Sequence, residues 1–198
     1  MPPRGYIDAG DKWYYVLHPR PAYIVVSEHN GKVDFMAASW VMPFSEDPAR
    51  IVASLEKEAY TTTLIRGSGL FTVNVLGVEN IDFIYGAGTT SGRRVDKLRL
   101  LGAEVAKDTV TGAPRLSQPK PIGVIEARVY RIVGDVAEDV DLVIADVVAA
   151  YADESLFNTR YGWELRKTRI AMHSAGRAFT TNSGLYVARR KGELNARL

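Results

Sequence analysis

The sequence predicts a mainly β protein arranged as a barrel, with a few short helices beside it. Three observations carry that expectation. Short apolar runs recur at modest spacing along the 198 residues and are cut by Gly, Pro and Asn. The runs are rich in Val, Ile, Phe and Thr, residues that suit a pleated surface. Strand-like runs mostly follow one another without the helices of roughly 10–15 residues that alternate with strands in a βαβ sheet.

In chain order, Ala22 to Ser27 reads as the first strand, ended by a hairpin turn at His29-Asn30-Gly31. Val33 to Val41 alternates, with Val33, Phe35, Ala37, Ser39 and Val41 on one face and Asp34, Met36, Ala38 and Trp40 on the other. Pro43 to Pro48 reads as a turn, Ile51 to Leu55 as the third strand and Phe71 to Leu76 as the fourth. Gly123 to Val133 and Leu142 to Tyr151 are two longer strands. The alanines of the second would tolerate helix, but its β-branched residues favour strand. Thr168 to Phe179 is expected as one final strand. Two helices are expected. Thr61 to Gly67 would be capped by its threonines and stopped by Gly67, and Arg93 to Leu101 would end at Gly102. Gly86-Ala87-Gly88 lacks a Rossmann setting and reads as a flexible turn.

Composition narrows the chemistry. Twenty-five basic and 23 acidic residues leave a formal charge of +2, too little to argue for nucleic acid as the partner. With no cysteine, disulfides, thiolate metal sites and a cysteine nucleophile are excluded. Three scattered histidines, His18, His29 and His173, do not suggest a metal centre. The longest apolar run, Val147 to Ala152, is far below the ~20 residues of a membrane span. The N-terminus has no apolar core of a secretion signal, so a cytoplasmic protein of one domain over 1–198 is expected, with 184–198 as a basic C-terminal arm.

Two segments can carry a site. Ser54 to Thr62 runs from a strand through a polar turn holding Lys57 into a helix start at Thr61. Hydroxyls, an ammonium and free N–H groups at a helix N-terminus form an anion site. The ordinary alternative, a threonine cap with an exposed lysine, stands ahead of it on spacing alone. Met36 to Pro43 is a strand of small residues that lets a flat ring approach the backbone, with Met36, Trp40 and Met42 as polarizable surface. Simple packing against a neighbouring strand is the competing reading. His173, with Arg177 following, suits contact with a nucleotide, although a lone histidine is more often structural. The pairs Arg93-Arg94 and Arg189-Arg190 read as solvated surface.

Taken together, the segments resemble the flavin reductase-like family. The resemblance rests on His18-Pro19-Arg20-Pro21, Met36 to Trp40, Pro43 to Pro48, Tyr60 to Thr62, Ile65, Phe71 to Leu76, Asp96-Lys97, Ala113 to Leu116 and His173 to Gly176. Their order and spacing cover about residues 15 to 180. The resemblance implies an antiparallel split β-barrel of Greek-key type, present as a homodimer with FMN near the subunit interface. It implies that Met36, Ala37, Ala38, Ser39 and Trp40 line the flavin and that Ser54, Lys57, Thr61 and Thr62 hold its phosphate. Leu55, Glu56 and Tyr60 belong to the same cofactor-binding segment, and His173 lies by the nicotinamide. Glu56 and Glu58, which flank Lys57, would repel a phosphate if they pointed inward. The implied activity is transfer of hydride from NADH or NADPH to FMN, with electrons passed to free flavin, a ferric chelate or a protein partner. Such chemistry is the cofactor's and needs no acid, base or nucleophile from the chain. The alternatives are an FMN-binding electron carrier without a nicotinamide site, and a barrel without flavin.

Overall fold

The computed structural model describes residues 2–184; the expected C-terminal arm from Leu185 onward, with Arg189-Arg190, lies outside the described residues. Fourteen strands and three α-helices follow in chain order among the described residues: β1 (Arg20–Pro21), β2 (Tyr23–His29), β3 (Lys32–Ala38), β4 (Val41–Ser45), β5 (Arg50–Glu56), α1 (Tyr60–Ser68), β6 (Leu70–Val75), α2 (Ile81–Thr89), α3 (Lys97–Leu101), β7 (Glu104–Ala106), β8 (Arg115–Gln118), β9 (Gly123–Val133), β10 (Val140–Ala152), β11 (Phe157–Asn158), β12 (Gly162–Trp163), β13 (Met172–Ala175) and β14 (Ala178–Thr180). A 3-10 helix, Gly10–Leu17, precedes them. No described helix is long and apolar enough to cross a membrane.

Seven strands form one sheet in the order β3-β2-β6-β9-β10-β5-β4, antiparallel throughout. The two edge strands, β3 and β4, are separated by only Ser39 and Trp40 in the chain. The sheet must therefore curl until its edges meet, yet β3 and β4 form no ladder with each other. This is the split of the barrel. Ser39-Trp40 bridges it, and the Trp40 carbonyl accepts the Ser54 amide at 2.9 Å.

The core lies on both sides of β2. Val25 joins Phe71, Val73, Leu55 and Val143 inside the barrel. Ile24 and Val26 pack outward with Phe35, Ile84 and Leu116. A strand buried on both faces needs a continuous apolar run, and Ala22 to Val26 is one. Each such side chain contributes about 1.5–3 kcal/mol by leaving water.

Several expectations are corrected. The strand from Val33 stops at Ala38, because the chain crosses the split there, and Val41–Ser45, half of it read as turn, is a separate strand. The last strand is a hairpin, β13 and β14, reversed at Gly176, whose φ of +54° suits glycine. Gly86-Ala87-Gly88 lies inside helix α2, where absent side chains allow close approach. Helix α1 is capped at Ala59 without a side-chain bond and stops at Gly69 (φ +69°), so Gly67 is interior and the threonines are not caps. The helix expected from Arg93 begins only at Lys97, capped by Asp96, which accepts the Arg99 amide at 3.2 Å.

Candidate functional site

The unpaired outer edge of β3 is the axis of the site, because an edge strand leaves backbone N–H and C=O groups free. Three adjoining cavities of about 250, 240 and 230 Å³ run along it and share Ala37. Together they fall in the roughly 300–1,000 Å³ range of ligand sites. The first lies over Ala37, Ala38 and Ser39, walled by Ile84, Tyr85, Gly88 and by His173 and Phe179 of the terminal hairpin. Toward the start of α1, the second is walled by Ala59, Tyr60 and Thr61 and by the loop Thr89 to Gly92. The third holds Met36 to Trp40, Ser54 and Glu56.

Helix α2 supplies the opposite wall. A Cβ on Gly88 would sit 3.3 Å from that of Ala37, so glycine keeps this wall close to the strand. Beneath the second cavity lies a buried ion pair. Asp34 accepts the Thr61 hydroxyl at 2.6 Å and pairs with Lys97 at 3.3 Å, and Lys97 also donates to the Phe35 carbonyl. Burial pushes the Lys97 ammonium below the ordinary lysine range, and Asp34 pulls it back up. The cluster ties β3, α1 and α3 into one floor.

At the other end, aromatic groups gather around the split. Tyr14 meets Trp40 at 6.1 Å between ring centroids, and His18 lies 5.5 Å from His173. Phe179 flanks His173 at 5.2 Å, and His173 Nε2 donates to the Gly176 carbonyl at 3.1 Å. His18 Nδ1 donates to the Ser174 carbonyl, while Arg20 donates to His18 Nε2 at 2.8 Å. A carbonyl only accepts and a guanidinium only donates, so His18 is held as the Nδ1–H tautomer. Burial lowers the Arg20 pKa from its usual value.

The structure brings Met36, Ala37, Ala38, Ser39, Trp40, Ser54, Glu56, Tyr60, Thr61 and His173 onto this groove. It turns others away. Leu55 is in the barrel core, leaving only its backbone for a ligand. Lys57 donates to the Ala137 carbonyl at 2.5 Å and Thr62 is buried with its hydroxyl on Met36 Sδ at 3.9 Å, whereas Glu58, like Glu56, is exposed and lines the second cavity. Sequence reasoning passed over Arg20, Tyr85, Gly88 and Arg93. Arg93, set down as solvated surface, donates to the Thr63 hydroxyl at 2.7 Å and to the Glu58 carbonyl at 3.3 Å, beside the start of α1. The available signal was the run of small residues from Gly86 to Gly92, which is unusual in a helix and its exit unless something must approach closely.

Comparison with known proteins gives a consistent pattern. Residues 15–172 match the family model of the flavin reductase like domain. The uncharacterized protein YddH of Escherichia coli K12 is 28% identical over 170 residues, 84% of this chain and 89% of YddH. A ferric-chelate reductase (NAD(P)H) of Archaeoglobus fulgidus is 31% identical over 144 residues, 68% of this chain and 82% of the reductase. An FMN-binding protein of Thermus thermophilus, solved with 1-cyclohex-2-enone, superposes with a TM-score of 0.81 over 94% of this chain and 100% of that one. At 21% identity this last likeness speaks for the fold.

Proposed function

The chain belongs to the flavin reductase like domain family, and on that premise we propose that it is an FMN-binding oxidoreductase. It takes hydride from NADH or NADPH and passes electrons to free flavin, a ferric chelate or a protein partner. The observation that carries this reading is the groove along the free edge of β3. One end is flat and lined by small residues, and the other ends at a helix start.

A flavin mononucleotide fits the chemistry of that groove. Ala37, Ala38 and Ser39 present little side chain, so a planar ring would reach the free backbone groups of the edge. The phosphate would lie by the first N–H groups of α1, where the helix dipole favours an anion, with Arg93 beside it. Thr61, already bonded to Asp34, holds that first turn against β3. Glu56 and Glu58 both line the second cavity, and only their exposure to solvent screens their charge from a phosphate there. When bound, FMN supplies the two-electron chemistry. The protein orients and shields: His173, fixed between His18 and Phe179 and by the Gly176 carbonyl, forms the wall against which a nicotinamide would lie.

A homodimer belongs to the same reading. An apolar groove of about 470 Å³ opens on the far side of β2, lined by Tyr23, Met42, Ile51, Tyr151, Phe157 and Trp163. Met42 is 59% exposed and Tyr151 43%, and a second copy of the chain would cover them. Light scattering on the purified protein tests this, and a monomer at all concentrations would refute it.

The activity is tested by the visible spectrum of FMN-loaded protein before and after anaerobic addition of NADH or NADPH. Bleaching of the flavin bands within seconds is expected. A protein that binds FMN but is reduced by neither nucleotide would be an electron carrier instead, and one that binds no FMN would refute the reading altogether.

A further inference from the structure

The groove along β3 does not end at the start of α1. A fourth cavity, of about 480 Å³, adjoins the second and shares Asp34, Tyr60, Gly92 and Lys97 with it. Its volume alone is that of a ligand site. Its outer walls are Lys32, at the turn end of the β2–β3 hairpin, and the loop Gly92 to Asp96. A flavin mononucleotide with its ring over Ala37 to Ser39 and its phosphate by α1 does not reach into it.

Charge changes sign between the two cavities. Apart from the Asp34–Lys97 pair, the second is lined by the carboxylates of Glu56 and Glu58 and by no cation. The fourth is lined by Lys32, Arg93 and Arg94 against the single carboxylate of Asp96, which already accepts the Arg99 amide. No described carboxylate pairs with any of these three cations, whereas Arg50, Arg66 and Arg115 each have one. Like charges gathered around one concavity repel each other, and an anion between them relieves that repulsion.

The loop keeps them in place. A Cβ on Gly92 would drive into the Asp34 carboxylate, so glycine lets the chain lie against the buried pair. The amides of Arg94 and Val95 both donate to the Ser91 carbonyl, at 3.1 and 3.3 Å, and turn the chain along the cavity wall. Arg93 reaches back to the Thr63 hydroxyl and lies 5.4 Å from the Tyr60 ring centroid. Lys32 and Arg94 are exposed, so a ligand can reach them.

We propose that the fourth cavity takes the adenylate half of flavin adenine dinucleotide (FAD), with Lys32 and Arg94 on its second phosphate, so that this groove selects FAD over FMN. The dinucleotide carries a second phosphate farther from the ring than FMN does, on the side where the cations stand. Its purine meets Tyr60 and Arg93, and bases stack on aromatic rings and on guanidinium planes alike. The proposal rests on the flavin reading, because it extends the same ligand from the same phosphate position.

The test is calorimetric titration of the flavin-free protein with FMN and with FAD, in the wild type and in the double variant Lys32→Gln with Arg94→Gln. FAD is expected to bind the wild type at least tenfold more tightly than FMN. The double variant is expected to lose that advantage and to keep FMN affinity within twofold. FAD no tighter than FMN in the wild type, or an FAD advantage that survives the double change, overturns the proposal and leaves the flavin reading standing. Equal loss of FMN and FAD in the variant also overturns it, since the two cations would then serve the first phosphate. A variant that keeps FAD affinity but shows a raised KM for NADH or NADPH would give the cavity to the nicotinamide dinucleotide instead. If neither flavin binds the wild type, the flavin reading falls and the proposal falls with it.

Discussion

Gly88 of α2 faces Ala37 of β3 so closely that a Cβ on the glycine would stand 3.3 Å from the alanine Cβ. These two small residues set the width of the groove at its middle. Gly88→Val is expected to weaken FMN binding at least tenfold. Its cost in stability should be the smaller effect: the added side chain presses on Ala37, but Gly88 is exposed near a helix end and valine is the better helix former by several tenths of a kcal/mol. Flavin fluorescence titration beside urea unfolding separates the two effects. Equal loss of both would show that Gly88 serves packing rather than the groove.

Arg93 is expected to recognise the phosphate rather than the ring. Arg93→Ala should weaken FMN by 10- to 100-fold, in line with loss of a charge-assisted bond worth roughly 1.5–3 kcal/mol. Riboflavin, which lacks the phosphate, should bind both proteins alike. Lys57→Ala is expected to have the smaller effect, since Lys57 Nζ is engaged by the Ala137 carbonyl. Titrations with the two flavins check both statements, and an equal loss for riboflavin would move the phosphate elsewhere.

His173→Ala should slow reduction by NADH and NADPH while leaving FMN affinity nearly unchanged. Its ring walls the cavity over Ala37 to Ser39 and is far along the groove from the start of α1. Stopped-flow reduction and FMN titration of the same preparation measure the two quantities. Parallel loss of both would remove His173 from the nucleotide wall.

Asp34 and Lys97 are both almost fully buried, at 3% and 5% exposure. Asp34→Ala leaves a buried ammonium without its partner and frees Thr61, so a loss of about 3–5 kcal/mol is expected in urea unfolding. The double change Asp34→Leu with Lys97→Met should cost clearly less than the two single changes added, because no charge is stranded. Additive losses would show that the two residues do not act as a pair.

Acid unfolding should draw in part on Asp108. Side-chain bonds from Arg115 hold its carboxyl below the usual aspartate range. A group whose folded pKa is depressed contributes stability that is present above its unfolded value, about 3.9, and is lost as pH falls through the folded value. Asp108→Asn should therefore lower stability at neutral pH and flatten its decline below pH ~4, so that the two proteins converge once Asp108 of the wild type is protonated. Unfolding curves from pH 7 to pH 2 follow this, and parallel curves would refute it.

Much of the barrel was readable in the chain. Alternation in Val33 to Ala38 separated Phe35 from Met36 correctly, and the unbroken run Ala22 to Val26 matched a strand buried on both faces. The run of small residues from Ala37 to Ser39 was readable too, and a cavity lies over it. The hairpin at Gly176 and the helix over Gly86 to Gly88 were not readable, since glycine marks both a turn and a close approach, and only the neighbour tells which.

By itself the sequence determined where most of the long strands lie, which of their faces are apolar, and that no thiol chemistry is available, because periodicity and composition are local properties. Tertiary structure alone decided which charges remain unpaired. Whether Lys57 meets a carbonyl or Thr61 meets Asp34 depends on residues 80 and 27 positions away. Electrostatic partners are set by distance in space, and curling the sheet until Ser39 and Trp40 join its edges creates those distances.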